Sequence, residues 1–424
     1  MGKTLLIAFA VCVSLPAYPA QVTFEQASAD LTSPDAAARL RAVQLLKTAA
    51  YPEAAIPLAR LVNDPQDQVQ FAAIAAELNI FLAEPVVAKK RVAMVVEVRS
   101  TVQAEPAFSA GPGALGARPV PVEVLTALRT AARDENPRVA IEALYAFGVV
   151  AIQPGGAARR ELLRAAGPDV AAFIGSSDPA MRYTAVRVLG RVFAKRPQDE
   201  PTESTVGDAV ITALNDNDRA VRAAAMRALG AMRYERGVQA LTDLFAYYGK
   251  GDAAETALDA LAQIAHPTSV PLLTAQLSAK SAALRVAAIE GLARTGDATL
   301  LSAIQAVVDK DRESSVTLAG AFASVMLGNA STDQVCDWLA RPRMREQAKR
   351  YLVEIAPRRT ATFGHQLLDS DPQIRIDVID ALGLAGDTAA VAALEPLTLD
   401  QDPQVARAAE RAVARLRESS RGAR

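Results

Sequence analysis

One motif recurs along this chain and limits what it can fold into. The stretch NDNDRAVRAAAMRALGAMR at 215–233 and the stretch DSDPQIRIDVIDALGLAGD at 369–387 place the same residue types in the same order. Further copies align on an apolar anchor at Leu229, Leu261, Leu292, Phe322, Leu352, Leu382 and Val413, a spacing of 30 to 32 residues throughout. A unit of that length cannot bury its own hydrophobic face. It is stabilised by stacking on a neighbouring copy, so a constant period over many units specifies a one-dimensional array. The 424 residues therefore read as one long array, not as two or three separate globular domains.

Within a unit the pattern is that of two helices. Val221, Ala225, Ala228 and Met232 fall at i, i+4, i+7 and i+11, as do Ile374, Val378, Ala381 and Ala385, which lines one helical face with apolar groups. A polar residue followed by proline marks the helix start at Ser33, Asp64, Asn136, Asp178, Asp371 and Asp402. The polar side chain caps free N–H groups, and proline suits the first helical position, where its missing N–H is not needed. The glycine after the anchor leucine suits a left-handed helix end. Pro57, Pro271 and Pro396 precede leucine in the first helix of their units and predict a bend there. The expected fold is all-α: an α-solenoid, a right-handed superhelix of about ten helical hairpins.

The chain is 51% hydrophobic but only 5% aromatic, with 46 Lys+Arg against 47 Asp+Glu. Such balance argues against a nucleic-acid footprint, which needs a basic face. At the N-terminus Lys3 precedes the apolar run Thr4–Leu15, with small residues to Ala20, the pattern of an export signal. The run is too short to span a bilayer. Residues 1–20 are read as a signal peptide, and the localisation expected is periplasmic or cell envelope. Val11 before Cys12 is too bulky for a lipid-attachment site, and loss of Cys12 with the signal leaves Cys336 without a disulfide partner. The organisation expected is N-terminal repeats over 21–83, an insertion over 84–121 that breaks the period, a repeat array over 122–417 and a tail over 418–424. Within the insertion, 85–103 is helical in pattern, and 109–121, with three Gly and three Pro, is a loop. That loop is either a specificity element or a plain excursion.

The units resemble HEAT repeats, in particular the short HEAT-like repeats of phycobilin lyases. In that family Asp at the turn and Arg in the second helix form a ladder between units. The resemblance assigns the Arg position to Arg39, Arg182, Arg222, Arg285, Arg345 and Arg375. It assigns the Asp position, six residues earlier, to Asp134, Asp216, Asp309, Asp369 and Asp400. It implies a structural role for them, Asp216 and Asp369 in particular.

No catalytic constellation emerges. GPGALG at 111–116 matches G-x-G-x-x-G, but no strand precedes it and Pro112 disturbs the turn. The D-x-D/N pairs lack the Gly and Glu of a calcium loop. His266 and His365 lie three units apart, and Cys336 reads as a small buried hydrophobe. No metal and no cofactor are expected, and no enzyme. Two surfaces stand out as partner candidates: Tyr234, Tyr247 and Tyr248, and the basic run with Arg341, Arg343, Lys349 and Arg350. The function expected is a non-catalytic protein-binding scaffold of the bacterial envelope that uses the concave face, with a protein or peptide partner, no nucleic acid and no transmembrane segment. The alternative is an enzyme or enzyme subunit resembling the chromophore lyases.

Overall fold

The computed structural model describes residues 23–83, 104–195, 199 and 202–422. The signal-peptide reading at 1–20 and the helical reading at 85–103 lie outside them. Eleven helices stack side by side to form an inner layer, and they number the repeats. They are Ala36–Ala49, Asp67–Phe81, Pro137–Val150, Pro179–Val192, Arg219–Ala231, Asp252–Ile264, Ala282–Arg294, Ser314–Leu327, Arg345–Arg359, Pro372–Ala385 and Pro403–Gly422. Each is preceded by an outer element, from Phe24–Asp30 in repeat 1 to Val391–Leu394 in repeat 11, shorter than its inner helix everywhere but in repeat 4, where Ala157–Ala172 is the longer. The expected count of about ten thus becomes eleven among the described residues. The last inner helix runs on to Gly422, so the expected tail at 418–424 is largely helical.

The apolar stripes are where the pattern puts them: Val221, Ala225, Ala228 and Met232 are buried, as are Val378, Ala381 and Ala385. Asn136, Asp178, Asp371 and Asp402 cap their helices, each accepting a backbone N–H two residues on. Ser33 and Asp64 do not. Asp35 and Gln66 are the N-cap residues there, and Pro34 and Pro65 fall in the turn before the helix. The prolines expected to bend the first helices stand at helix starts instead. Pro57 and Pro271 lie in the first turn of short helices, Ala55–Leu61 and Val270–Gln276, each led by a 3-10 turn, and Pro396 lies in the first turn of a 3-10 segment. In a first turn a missing N–H costs little.

The anchor glycines correct a second expectation. Gly190, Gly230 and Gly383 lie inside their helices and not at the ends. A Cβ on Gly190 would stand 2.7 Å from Ala228, one on Gly230 2.9 Å from Ala260, and one on Gly383 2.8 Å from Ala412. In each case the obstacle is the next inner helix, whose own small residue meets the glycine. The glycine therefore sets inter-helix distance, not helix termination. Left-handed ends do occur, at Ala50, Arg233, Ala265, Gly296 and Gly386. Small residues thus let neighbouring inner helices approach closely.

Candidate partner-binding surfaces

The ladder positions share one local geometry. Arg39, Arg182, Arg222, Arg285 and Arg375 each donate from Nη1 to the carbonyl six residues back, and Arg345 does so from Nε. Four of them also reach the turn carboxylate of the next repeat: Arg39 to Asp64 at 2.6 Å, Arg182 to Asp216 at 2.7 Å, Arg285 to Asp311 at 2.6 Å and Arg375 to Asp400 at 3.0 Å. The same carboxylates accept the N–H of Gln66, Asp218, Glu313 and Asp402. One Asp thus closes its own turn and receives its neighbour's guanidinium. The Arg182 hydrogen bond holds the Asp216 carboxyl below its ordinary range, and Arg285 does the same for Asp311.

Four positions depart from the expected pattern. Asp311, not Asp309, takes the rung in repeat 8. Arg222 faces a turn with Gly249 and Gly251 and stops at the carbonyls of Asp216 and Asn217. Arg345 meets buried Asp377 at 3.4 Å, while the Asp369 carboxylate accepts the N–H of Asp371. Asp134 is held by Gln70, which stands where the other rungs have arginine.

The candidate partner residues do not form one site. Tyr234 is buried, with its ring against Gly207 and its hydroxyl donating to Asp208 at 2.6 Å. It is core, because the glycine leaves room for the ring. Tyr247 is 81% exposed and lies edge-on to Tyr248 at 5.2 Å, at the end of outer helix Val238–Tyr248. The basic run is dispersed: Arg341 stacks over Trp338 at 4.1 Å, Lys349 pairs with Asp377 at 3.3 Å, and Arg359 bonds the carbonyls of Val325 and Gly328. Arg343 and Arg350 are exposed.

The inner face holds groups that sequence patterns did not single out. Helix Ala104–Ser109 of the insertion packs on the inner helix of repeat 3, touches that of repeat 2, and meets repeat 4 through Arg187 and Arg191. Its Phe108 lies 5.3 Å from Tyr145 and beneath the guanidiniums of Arg187 at 5.0 Å and Arg191 at 4.2 Å. Arg187 also donates to Glu105, Tyr145 and Ser109, and Arg191 to the Phe108 carbonyl. Burial, and then the charge of Arg187, pulls Arg191 down to about 10. The loop beyond is ordered. Gly116 donates to the Phe81 carbonyl at 2.7 Å and Ala83 to that of Ala114 at 2.8 Å. Its tip crosses to the far end of the array, where Arg415 donates to the Pro112 carbonyl at 2.9 Å. Gly113 and Leu115 share a small gap there with Asp380, Gly383 and Arg411. The open concave groove expected from the repeat count is therefore filled at repeats 3 and 4 and bridged to repeats 10 and 11.

Repeats 5 to 9 are joined across the same face by an ion cluster. Arg294 donates to both Glu354 oxygens at 2.8 and 2.9 Å and lies 3.2 Å from Glu290. Tyr351 donates to Glu290 at 2.5 Å, and Arg233 stands 3.7 Å from Glu354. Among the described residues no three His, Cys, Asp or Glu side chains converge so as to hold a metal ion, and no helix is long and apolar enough to cross a membrane.

Residues 167–247 and 249–323 match the family model for HEAT repeats, which this part of the chain therefore contains. No curated protein matches it. Among solved structures, an engineered protein is 19% identical and covers 93% of this chain and 98% of its own, with a TM-score of 0.42. The complex of CpcE and CpcF of phycocyanin lyase from Nostoc is 22% identical over 59% of this chain and 94% of that one, with a TM-score of 0.34. A designed armadillo repeat protein in complex with the peptide (KR)4 is 16% identical over 63% and 98%, with a TM-score of 0.36.

Proposed function

We propose that this protein is a non-catalytic scaffold of the cell envelope, exported by the segment Thr4–Leu15, and that it binds a protein partner through the outer edge of repeat 6. The observation that carries the reading is the Tyr247–Tyr248 pair. In a chain with 5% aromatics, Tyr247 is 81% exposed at a helix end, followed by Gly249 and Gly251 at positive φ. Tyrosine offers a large, stiff contact area with a polar tip and is enriched where interfaces place their binding energy. The inner face is engaged by the chain's own insertion, which leaves the outer surface for a partner.

The test is affinity capture from envelope extract with the chain from Gln21 as bait, run beside a Tyr247→Ser/Tyr248→Ser bait. One stoichiometric protein, lost with the double variant, supports the scaffold and its surface. A stoichiometric protein retained by both baits moves the surface elsewhere. A retained small molecule with no protein partner overturns the scaffold reading.

A further inference from the structure

The ladder along the repeat edge is incomplete between repeats 5 and 6. In three of the filled rungs the guanidinium is used in one way. Arg39, Arg182 and Arg285 are each pinned by Nη1 to two turn carbonyls of their own repeat. Their Nε and Nη2 edge then grips the next repeat's carboxylate: Asp64 at 2.6 and 2.9 Å, Asp216 at 2.7 and 2.9 Å, Asp311 at 2.6 and 3.1 Å. Two parallel bonds to a carboxylate are the strong mode of a planar fork. Arg222 is pinned alike, donating from Nη1 to the carbonyls of Asp216 at 2.6 Å and Asn217 at 3.0 Å. Its Nε and Nη2 edge meets no acceptor among the described residues. Arg222 is partly buried, and neither of those nitrogens is shut off from solvent.

The carboxylate is missing for a reason written in the chain. A rung Asp stands three residues before its inner helix, as Asp64 does before Asp67, Asp216 before Arg219 and Asp311 before Ser314. In repeat 6 that position is Gly249. It has φ 65° and ψ -33°, a backbone outside the regions open to a residue with a side chain. It is the centre of a tight turn in which the Lys250 N–H reaches the Tyr248 carbonyl at 2.7 Å. The Gly251 N–H matches in register those that the rung carboxylates accept, and it has no acceptor among the described residues. Lys250, between the two glycines, is exposed. Asp252 and Glu255 follow in the inner helix, but neither pairs with Arg222, and Glu255 accepts the Ser281 hydroxyl of repeat 7.

We propose that the unpaired Arg222 edge is a carboxylate-binding site, filled by an aspartate or glutamate side chain of a bound protein. Such a carboxylate completes the rung that the chain itself leaves open, on a guanidinium whose orientation is already fixed. A free small carboxylate has the same chemistry. The protein side chain is favoured because Tyr247 and Tyr248 stand immediately before Gly249 and offer contact area that a small ion does not use. In that respect the inference rests on the proposed surface of repeat 6 and gives its partner an acidic residue.

Calorimetric titration of the full chain with hexaglutamate, and separately with sodium succinate, tests it at low salt and pH 7.5. The expected result is one saturable site for hexaglutamate. Arg222→Gln should weaken it about tenfold or more, the loss expected for hydrogen bonds to a charged group. Lys250→Asp should weaken it roughly three- to tenfold, because repulsion replaces attraction beside the site. Lys250 is exposed, so this variant should keep the wild-type melting curve, and it alone decides if Arg222→Gln melts early. Arg343→Gln, exposed and three repeats away, should bind as wild type. Succinate binding as tightly as hexaglutamate overturns the assignment to a protein side chain. Absence of binding by either probe, wild-type affinity in a folded Arg222→Gln or in Lys250→Asp, or an equal loss in Arg343→Gln overturns the site. These titrations use no partner, so their failure leaves the capture by Tyr247 and Tyr248 standing, and failure of the capture leaves the carboxylate site standing.

Discussion

Arg294→Met tests the inner ion cluster, because it removes the charge on which two acids depend. The Arg294 side chain is 6% exposed, Glu290 8% and Glu354 23%. Removing one partner of a buried pair costs about 3–5 kcal/mol, since the other charge is left without compensation. Two features place this case at the low end. Glu354 is partly solvated and keeps Arg233 at 3.7 Å, and Glu290 keeps the Tyr351 hydroxyl. The expected loss is about 3 kcal/mol at pH 7. Burial works to raise the Glu354 carboxyl, but Arg294 and then Arg233 outweigh it, and the group titrates below its ordinary range. Its contribution to stability is therefore present above the unfolded carboxylate value and is lost as pH falls through the folded one. Without Arg294, burial prevails and the sign reverses: folding then favours the protonated acid. The variant's deficit should shrink as pH falls to about 4. Urea denaturation followed by circular dichroism at both pH values reads the difference. A deficit under about 1 kcal/mol at pH 7, or one independent of pH, would refute the argument and reduce Arg294 to packing over Phe322.

Glu77 is the opposite case: it is buried with both carboxylate oxygens unpartnered, and burial raises it well above the ordinary range. Stability is lost as pH rises from the unfolded value toward the folded one, so Glu77→Gln should stabilise by about 1–3 kcal/mol at pH 7 and little near pH 4, measured by the same denaturation. Gly207→Ala puts a Cβ 2.2 Å from the Tyr234 ring and should cost about 1–3 kcal/mol in thermal melting. Asp216 and Asp311 are held low by Arg182 and Arg285, and Asp400 by the Asp402 N–H and then Arg375. Their rungs should therefore loosen only as pH falls below the unfolded Asp value. Hydrogen exchange at the N–H groups of Asp218, Glu313 and Asp402 should rise in that range before global unfolding.

The repeat, its stripes and most caps were legible because they are local: each depends on residues a few positions apart. Misreadings arose where one residue type serves two local ends. Glycine after leucine fits a helix end, yet Gly190 meets Ala228 and Gly383 meets Ala412 in the next inner helix. Asp309 and Asp311 both fit a turn, and only the reach of Arg285 selects the second. The inner face was illegible for another reason. Arg294 and Glu354 are 60 residues apart, and Arg415 and Pro112 are 303 apart. No spacing rule connects them. The i, i+4 pairs Glu290/Arg294 and Arg187/Arg191 were the available signals, and on an isolated helix each reads as an ordinary solvated face.

The glycine contacts explain why the function is sought outside the coil. An array with bulky inner residues would leave a wide groove along its concave side. Here glycine–alanine contacts draw the inner helices together, and the two ends come within reach of one loop. Residues 110–116 then span from repeat 2, where they pair with Phe81 and Ala83, to Arg415 in repeat 11. The charged side chains on the inner helices, which in an open array would face a partner, find each other and the insertion instead. A closed coil of this kind can resist bending, because opening it breaks the Arg415 contact, the Arg294 cluster and the Arg187–Phe108 stack together. What remains free of such ties is the outer layer, where Tyr247, Leu368 and Leu399 stand exposed and where the outer elements of repeats 9 to 11 shorten to single turns. The same small residues that shut the groove thus leave recognition to the outer elements.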